Sequence, residues 1–288
     1  MRGLFTVLII LFFGIIFPLA VLTYTLNTVA NSTYIKSQLR EAAIYKTVAA
    51  KVPEFIGTGS PEDESENLIS EKAQNEIKDL VKKEVTGEYL QSKAEPFIDD
   101  TFLWLARKKS DPPQVSLADL VAKVEKLPNG KHIPSDTAET FSKPLKWEPK
   151  NADQIKDWYS WFTLAPLAFG VVSALLLAGL FFVSVGWRAK LRKAALCIFL
   201  PTFFGILGSV ATLFIGQVFS GLATGTLDGS PFTDLKDPVE KLIAGISQDI
   251  TRQLLIIYGV ALAVTIVLFI TSFFVERKKK TPLPTPGA

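Results

Sequence analysis

Residues 162–219 constrain the chain more than any other stretch. Phe162 to Gly186 is an apolar run without a charge, and Ala194 to Phe219 is another. Between them stands Trp187-Arg188-Ala189-Lys190-Leu191-Arg192-Lys193, with four cations in seven residues. Crossing about 30 Å of hydrocarbon takes roughly 20 mostly apolar residues, so each run is long enough for one helix. The pair predicts a transmembrane hairpin over 161–219 with a basic turn at 187–193. Lys and Arg in short loops are retained on the cytoplasmic side. Arg188, Lys190, Arg192 and Lys193 therefore set the direction of the rest of the chain.

Two more apolar runs complete the pattern. Leu4 to Leu26 predicts a first span within an N-terminal signal anchor, 1–30. Its apolar run is longer than the core of a cleaved signal peptide, although Thr28-Val29-Ala30 loosely resembles a cleavage site. Pro18 is expected to kink it. Leu254 to Val275 predicts the fourth span, within 252–276. A basic, Pro-rich cytoplasmic tail, 277–288, follows it. The fold class expected is an all-α membrane protein with four transmembrane helices. A helical extracytoplasmic domain is inserted between spans one and two.

Charge supports that orientation. The proposed cytoplasmic pieces hold Arg2, Arg188, Lys190, Arg192, Lys193, Arg277, Lys278, Lys279 and Lys280 against Glu276 alone, a net +8. The remainder carries 22 cations and 27 anions, a net −5, although the whole chain is only +3. No folded segment is net basic, which argues against nucleic acid as a partner. The lipid bilayer is the expected partner, with the basic tail Arg277–Lys280, which includes Lys278 and Lys279, anchoring the last helix and touching anionic headgroups. The single cysteine, Cys197, lies in a span, so no disulfide holds the outer domain. That points away from animal four-span proteins with disulfide-bonded loops and towards a prokaryotic membrane.

The segment 31–160 reads as helical. Ile35, Leu39 and Ala42/Ala43 share a face, as do Ile69, Ala73, Ile77 and Leu80/Val81, and Leu90, Ala94, Phe97/Ile98 and Phe102. Ser116-Leu117-Ala118-Asp119 looks like a capped start, with Leu117, Leu120, Val121 and Val124 as its apolar face. Pro53, 57–61, Gly87, Pro112-Pro113 and 128–130 punctuate these helices. Strand character is confined to something short near Val115 or His132-Ile133. Asn31-Ser32-Thr33 fits a glycosylation pattern but stands close to the membrane. Trp158, Tyr159 and Trp161 before the second span, and Trp187 after it, are expected at the membrane interface, where half-buried rings keep a polar atom wet. In the second outer segment, 220–251, Leu235, Val239, Leu242/Ile243, Ile246 and Ile250 predict an amphipathic helix. It is expected to pack under the outer domain rather than lie on the bilayer, because its charges are mixed.

The run Asn31-Ser32-Thr33-Tyr34-Ile35-Lys36-Ser37-Gln38-Leu39, followed by Ala43-Ile44-Tyr45, resembles a pattern found in uncharacterised bacterial integral membrane proteins. Those have an N-terminal anchor, a helical extracytoplasmic domain and three further spans. The resemblance implies a bacterial cell-envelope protein of the plasma membrane and carries no activity with it.

The residues offer little chemistry. His132 is the only histidine, which excludes zinc sites built on several histidines. No HExxH, Gly-x-Ser-x-Gly or Walker motif occurs. The acidic run Glu62–Glu66 lacks calcium-loop spacing and reads as a solvated helix start. Asp99 and Asp100 are neighbours, but adjacent helix positions point apart. No catalytic, cofactor-binding or metal-ligating residue is assigned, and no cofactor is expected. The spans hold no Asp, Glu, Lys, Arg or His, which weakens a transporter reading. They do hold small residues at four-residue spacing, which let backbones approach closely: Gly170, Ala174 and Ala178 in the second; Gly208, Thr212 and Gly216, with Gly205 and Ser209, in the third. Packing inside the bundle is the first expectation for these faces, and self-association between copies the second. Gln217 is a candidate for an interhelical hydrogen bond.

These readings converge on an interaction or scaffold protein. Its outer helical domain, 31–160, would meet an envelope partner or another copy, with both termini cytoplasmic. The alternative is an oligomeric channel or transporter component. A membrane-surface enzyme is the least supported.

Overall fold

The computed structural model describes residues 2–55, 71–127, 143–227 and 233–275. The elements run α1 (Arg2–Val29), α2 (Ser32–Glu41), α3 (Ile44–Lys51), α4 (Glu71–Glu84), α5 (Gly87–Leu105), β1 (Gln114–Val115), α6 (Ala118–Val124), β2 (Leu145–Lys146), α7 (Ala152–Val183), α8 (Trp187–Gly225) and α9 (Lys236–Phe274). Short 3-10 turns occupy Val52–Phe55 and Thr233–Leu235. The helices α1, α7, α8 and α9 are each long and apolar enough to cross a membrane, which marks a multi-pass membrane protein. His132, Glu62–Glu66, Lys278–Lys280 and the Pro-rich tail lie outside the described residues.

Two compact units make up the chain. The spanning unit comprises Met1–Leu26, Leu164–Thr212 and Asp249–Ala288. Phe13, Leu180, Ala194, Cys197 and Ile198 form its first core cluster, with Ile9, Leu176 and Leu268 against it. Val21, Leu254 and Tyr258 form a second, joined by Phe17 and Ile206. The Phe13 and Phe17 rings stack at 5.2 Å, and Phe17 meets Tyr258 edge-on at 6.2 Å. Outside, Leu167, Leu175, Phe182, Phe204, Val260 and Phe274 are exposed, the surface that hydrocarbon accepts and water does not.

The second unit, Asn27–Thr163 with Leu213–Gln248, is tied by ion pairs. Its helices start where local chemistry permits. Asn31 caps α2, accepting the Tyr34 amide at 2.9 Å and donating to the Thr28 carbonyl, so both ends of the amide that fits a glycosylation pattern are in use. Ala43 breaks α2 from α3 by taking left-handed backbone, φ 57°. Thr86 caps α5 by accepting the Tyr89 amide at 3.1 Å. Gly87 follows it, and a Cβ there would stand 3.1 Å from the Lys46 backbone, so glycine lets α5 start against α3 without pushing it back.

Several expectations need correction. Ser116 does not make the anticipated cap: α6 starts at Ala118, and Ser116 accepts only the Ala118 amide, at 3.3 Å. The short strand expected near Val115 is present and pairs antiparallel with Leu145, while His132-Ile133 lies outside the described residues. That pair places Trp147, whose amide donates to the Pro113 carbonyl at 3.0 Å, beside the buried Trp104 ring, 5.6 Å away. The helix that carries the third span, α8, does not end near Phe219 but runs on to Gly225. The amphipathic stretch and the fourth span are one helix, α9: Pro238 stands in its first turn, where a missing amide costs nothing, and the helix tolerates Gly245. The basic turn is likewise helical. The chain reverses over 184–186, with Gly186 at φ 83°, and Trp187–Lys193 already belongs to α8.

Candidate functional site

The basic stretch sits at one end of the spanning unit. The Arg192 guanidinium lies 5.0 Å from the Phe273 ring and that of Arg188 lies 6.0 Å from it. Arg192 Nε also donates to Ser272 Oγ at 3.4 Å. Lys193 Nζ donates to Thr6 Oγ1 at 3.3 Å. Lys190 stands over Trp187 at 5.2 Å. These contacts gather the start of α1, the start of α8 and the end of α9 at the same end of the unit. Cations in the first turns of α8 oppose its dipole, so helix propensity alone does not account for their placement.

The small residues divide by face. Gly205, Ser209, Thr212 and Gly216 fall on the inner face of α8. A Cβ at Gly205 would overlap the Tyr258 ring of α9. Thr212 and Thr251 share a hydroxyl–hydroxyl bond at 2.6 Å. In the ion-paired unit, a Cβ at Gly216 would overlap Ser247. Gly208 lies off this face, with nothing within 4 Å of where a Cβ would stand. The second-span face is exposed: Gly170, Ala174 and Ala178 look outward, and Gly170 also has nothing within 4 Å. Ser173, Leu176, Leu177 and Leu180 take the inner positions of α7 instead, because their bulk fills the space between helices. Gln217 is exposed and makes no hydrogen bond to a described residue.

The aromatic positions also differ from one another. Trp158, Trp161 and Trp187 are 70%, 75% and 64% exposed. Tyr159 is half-buried and meets Phe102 edge-on at 6.2 Å. Trp104 receives Lys156 over its face at 4.1 Å.

In the ion-paired unit, α2 and α5 are joined by two charge pairs. Lys36 meets Asp99 at 2.7 Å, and Arg40 forks onto both oxygens of Glu95. The Arg40 hydrogen bonds hold the Glu95 carboxyl below its usual range, and the Lys36 bond does the same for Asp99. Asp100 turns away to Lys109 at 2.6 Å, as the separation of adjacent helix positions requires. Tyr89 donates to Asp119 at 3.2 Å, and burial together with that carboxylate pushes its phenol up to about 12. It is a neutral donor at any physiological pH. Lys93 also meets Asp119, at 3.0 Å, and Lys51 joins Glu54 at 3.0 Å and Asp234.

Chemically, each of these carboxylates serves a cross-tie. No group of three or more metal-ligating side chains occurs among the described residues. The chain matches no family model, no curated protein and no solved structure. Sequence reasoning missed Tyr258, Thr251, Ser272 and Phe273, the α9 partners of the residues it singled out on α8. Hydroxyls recurring through an otherwise apolar run were the available signal.

Proposed function

We propose that the chain is an integral membrane scaffold. Its ion-paired helical unit lies outside the cytoplasm and presents a surface to an envelope partner or to another copy. The observation that carries this reading is the second compact unit itself. It is drawn from two separate stretches of chain and is held by its own caps, ion pairs and buried Trp104. The basic end of the spanning unit favours the cytoplasmic side by the positive-inside bias. Leu103, Leu145 and Trp147 are exposed apolar side chains beside the charged pairs of this unit, which suits a contact surface.

Photo-crosslinking residues at Leu103 and Leu145 are expected to trap a discrete protein adduct in cells, whereas the same residues at Val210 and Ile266 trap lipid. Discrete adducts from the spans alone would end the scaffold reading. Orientation is checked in parallel. A Ser110→Cys thiol should react with an impermeant maleimide in intact cells, and a Val185→Cys thiol only after lysis.

One observation favours a second reading, a channel or transporter component. Thr25, Ser173, Thr202, Ser209 and Thr265 are all buried within the spanning unit, giving it a hydroxyl-bearing interior. Ion or solute flux in proteoliposomes of the purified chain distinguishes the two.

A further inference from the structure

A groove of about 330 Å³ opens between α8 and α9 on the surface of the spanning unit. Buried Ala195 and Thr265 form its floor, while Leu196, Phe199, Ile266 and Ile270 form exposed walls. Arg192 lies at the end nearest the start of α8. From Arg192 to Phe199 the lining rises about 10 Å along α8, close to a third of the hydrocarbon depth. The groove is thus apolar along its length and cationic at one end.

Three cations of this end meet neutral groups among the described residues. Arg192 is partnered by the Ser272 hydroxyl and the Phe273 ring, Lys193 by the Thr6 hydroxyl and Lys190 by the Trp187 ring. None of these partners bears a negative charge. Glu276 lies outside the described residues, and one acid leaves this stretch net positive. The Phe273 and Ser272 contacts hold the Arg192 side chain at the groove while leaving donors of its planar guanidinium for a bidentate acceptor, which two oxygens of a phosphate provide.

We propose that this groove binds a phospholipid with an anionic headgroup, one acyl chain lying along Leu196, Phe199 and Ile266 and the phosphate against Arg192. A zwitterionic choline lipid fits the apolar part equally well, but it brings an ammonium to an end of the groove that already carries the Arg192 cation. The proposal rests on the spans lying in a bilayer and is independent of the scaffold reading.

The test uses the purified full-length chain in detergent, with dioleoyl phosphatidylglycerol and dioleoyl phosphatidylcholine compared by native mass spectrometry. Roughly tenfold preferential retention of the anionic lipid is expected, the scale of basic clusters at a membrane surface. Arg192→Gln should bring the two lipids to within about threefold of each other. Arg192→Lys, which keeps the charge and loses the fork, should fall between and serves if the first variant does not fold. Leu196→Trp, at an exposed wall, should reduce retention of both lipids. Glycerophosphoglycerol, which carries the headgroup without chains, should not compete at the same concentrations. Equal retention by the wild-type chain, a preference that survives both Arg192 variants, or competition by the chainless headgroup would overturn the assignment.

Discussion

The two units solve opposite packing problems. In the spanning unit, large apolar side chains such as Phe182 and Phe274 face outward while Thr202, Ser209 and Ser272 are buried. In the ion-paired unit, Trp104, Val81 and Ala49 are buried and the charged pairs lie towards the surface. Water drives the second arrangement, because burying a large ring there removes apolar area from solvent. Lipid removes that drive between helices, so close approach and hydroxyl bonds decide the first. The same substitution should therefore have different consequences in the two units.

The largest contrast is expected at Trp104. Removing a fully buried ring costs about 3–5 kcal/mol. Trp104→Ala should expose the ion-paired unit to limited proteolysis, since Trp147 and Lys156 both lose their partner. Membrane insertion of the four long helices should be unchanged. Equal loss of insertion would show that the units do not fold separately.

Gly205 is the corresponding position in the spanning unit. Gly205→Leu drives atoms into the Tyr258 ring, and overpacking of this kind costs about 1–3 kcal/mol. Gly208→Leu, three positions along the same helix, meets open space and should leave the melting temperature in detergent unchanged. Tyr258→Ala should restore the Gly205→Leu variant. If Gly208→Leu proved as damaging as Gly205→Leu, the division of α8 into inner and outer faces would be wrong.

Acid sharpens the comparison further. The Glu95, Asp99 and Glu84 carboxyls are all held below their ordinary values, each first by a hydrogen bond from its cation. A carboxyl whose folded pKa is depressed contributes stability that is present above its unfolded pKa and lost as pH falls through the folded one. Melting of the ion-paired unit should thus weaken below about pH 4.5, the ordinary Glu value. Lys36→Gln with Arg40→Gln should flatten that slope. The spanning unit holds a single carboxylate among its described residues, Asp249, and its melting temperature should depend less on pH over the same range.

How much of this was legible in the sequence follows the same divide. Four charge-free runs announce themselves, since hydrocarbon permits little else. The helical faces of Leu80/Val81 and Phe97–Phe102 were visible because water imposes an apolar period. Helix ends were harder. The α9 helix runs unbroken from Lys236, since a change from amphipathic to wholly apolar sequence alters its surroundings and not its backbone. The turn at Gly186 was hidden by the cations beside it, which drew attention to their charge and away from their helix propensity. Least visible was which residue on α9 each α8 position meets. Gly205 and Gly208 are equivalent in composition, and only the register between the helices separates them.

The smallest effect tests that register directly. Thr212 and Thr251 share the 2.6 Å hydroxyl contact, and both lie in the spanning unit. Interhelical hydroxyl bonds in membranes average only about 0.6 kcal/mol, because a separated hydroxyl bonds its own helix backbone. Thr212 already does so, donating to the Ser209 carbonyl at 2.6 Å. Each Thr→Val change keeps the shape of the side chain and removes one hydroxyl. In a double-mutant cycle on melting in detergent, the coupling should therefore be positive and below about 1 kcal/mol. A coupling of zero would mean that the two hydroxyls bond their own helices and ignore each other. In that case close packing at Gly205 would be the main interaction holding α8 to α9, and the buried hydroxyls would no longer count as structural glue.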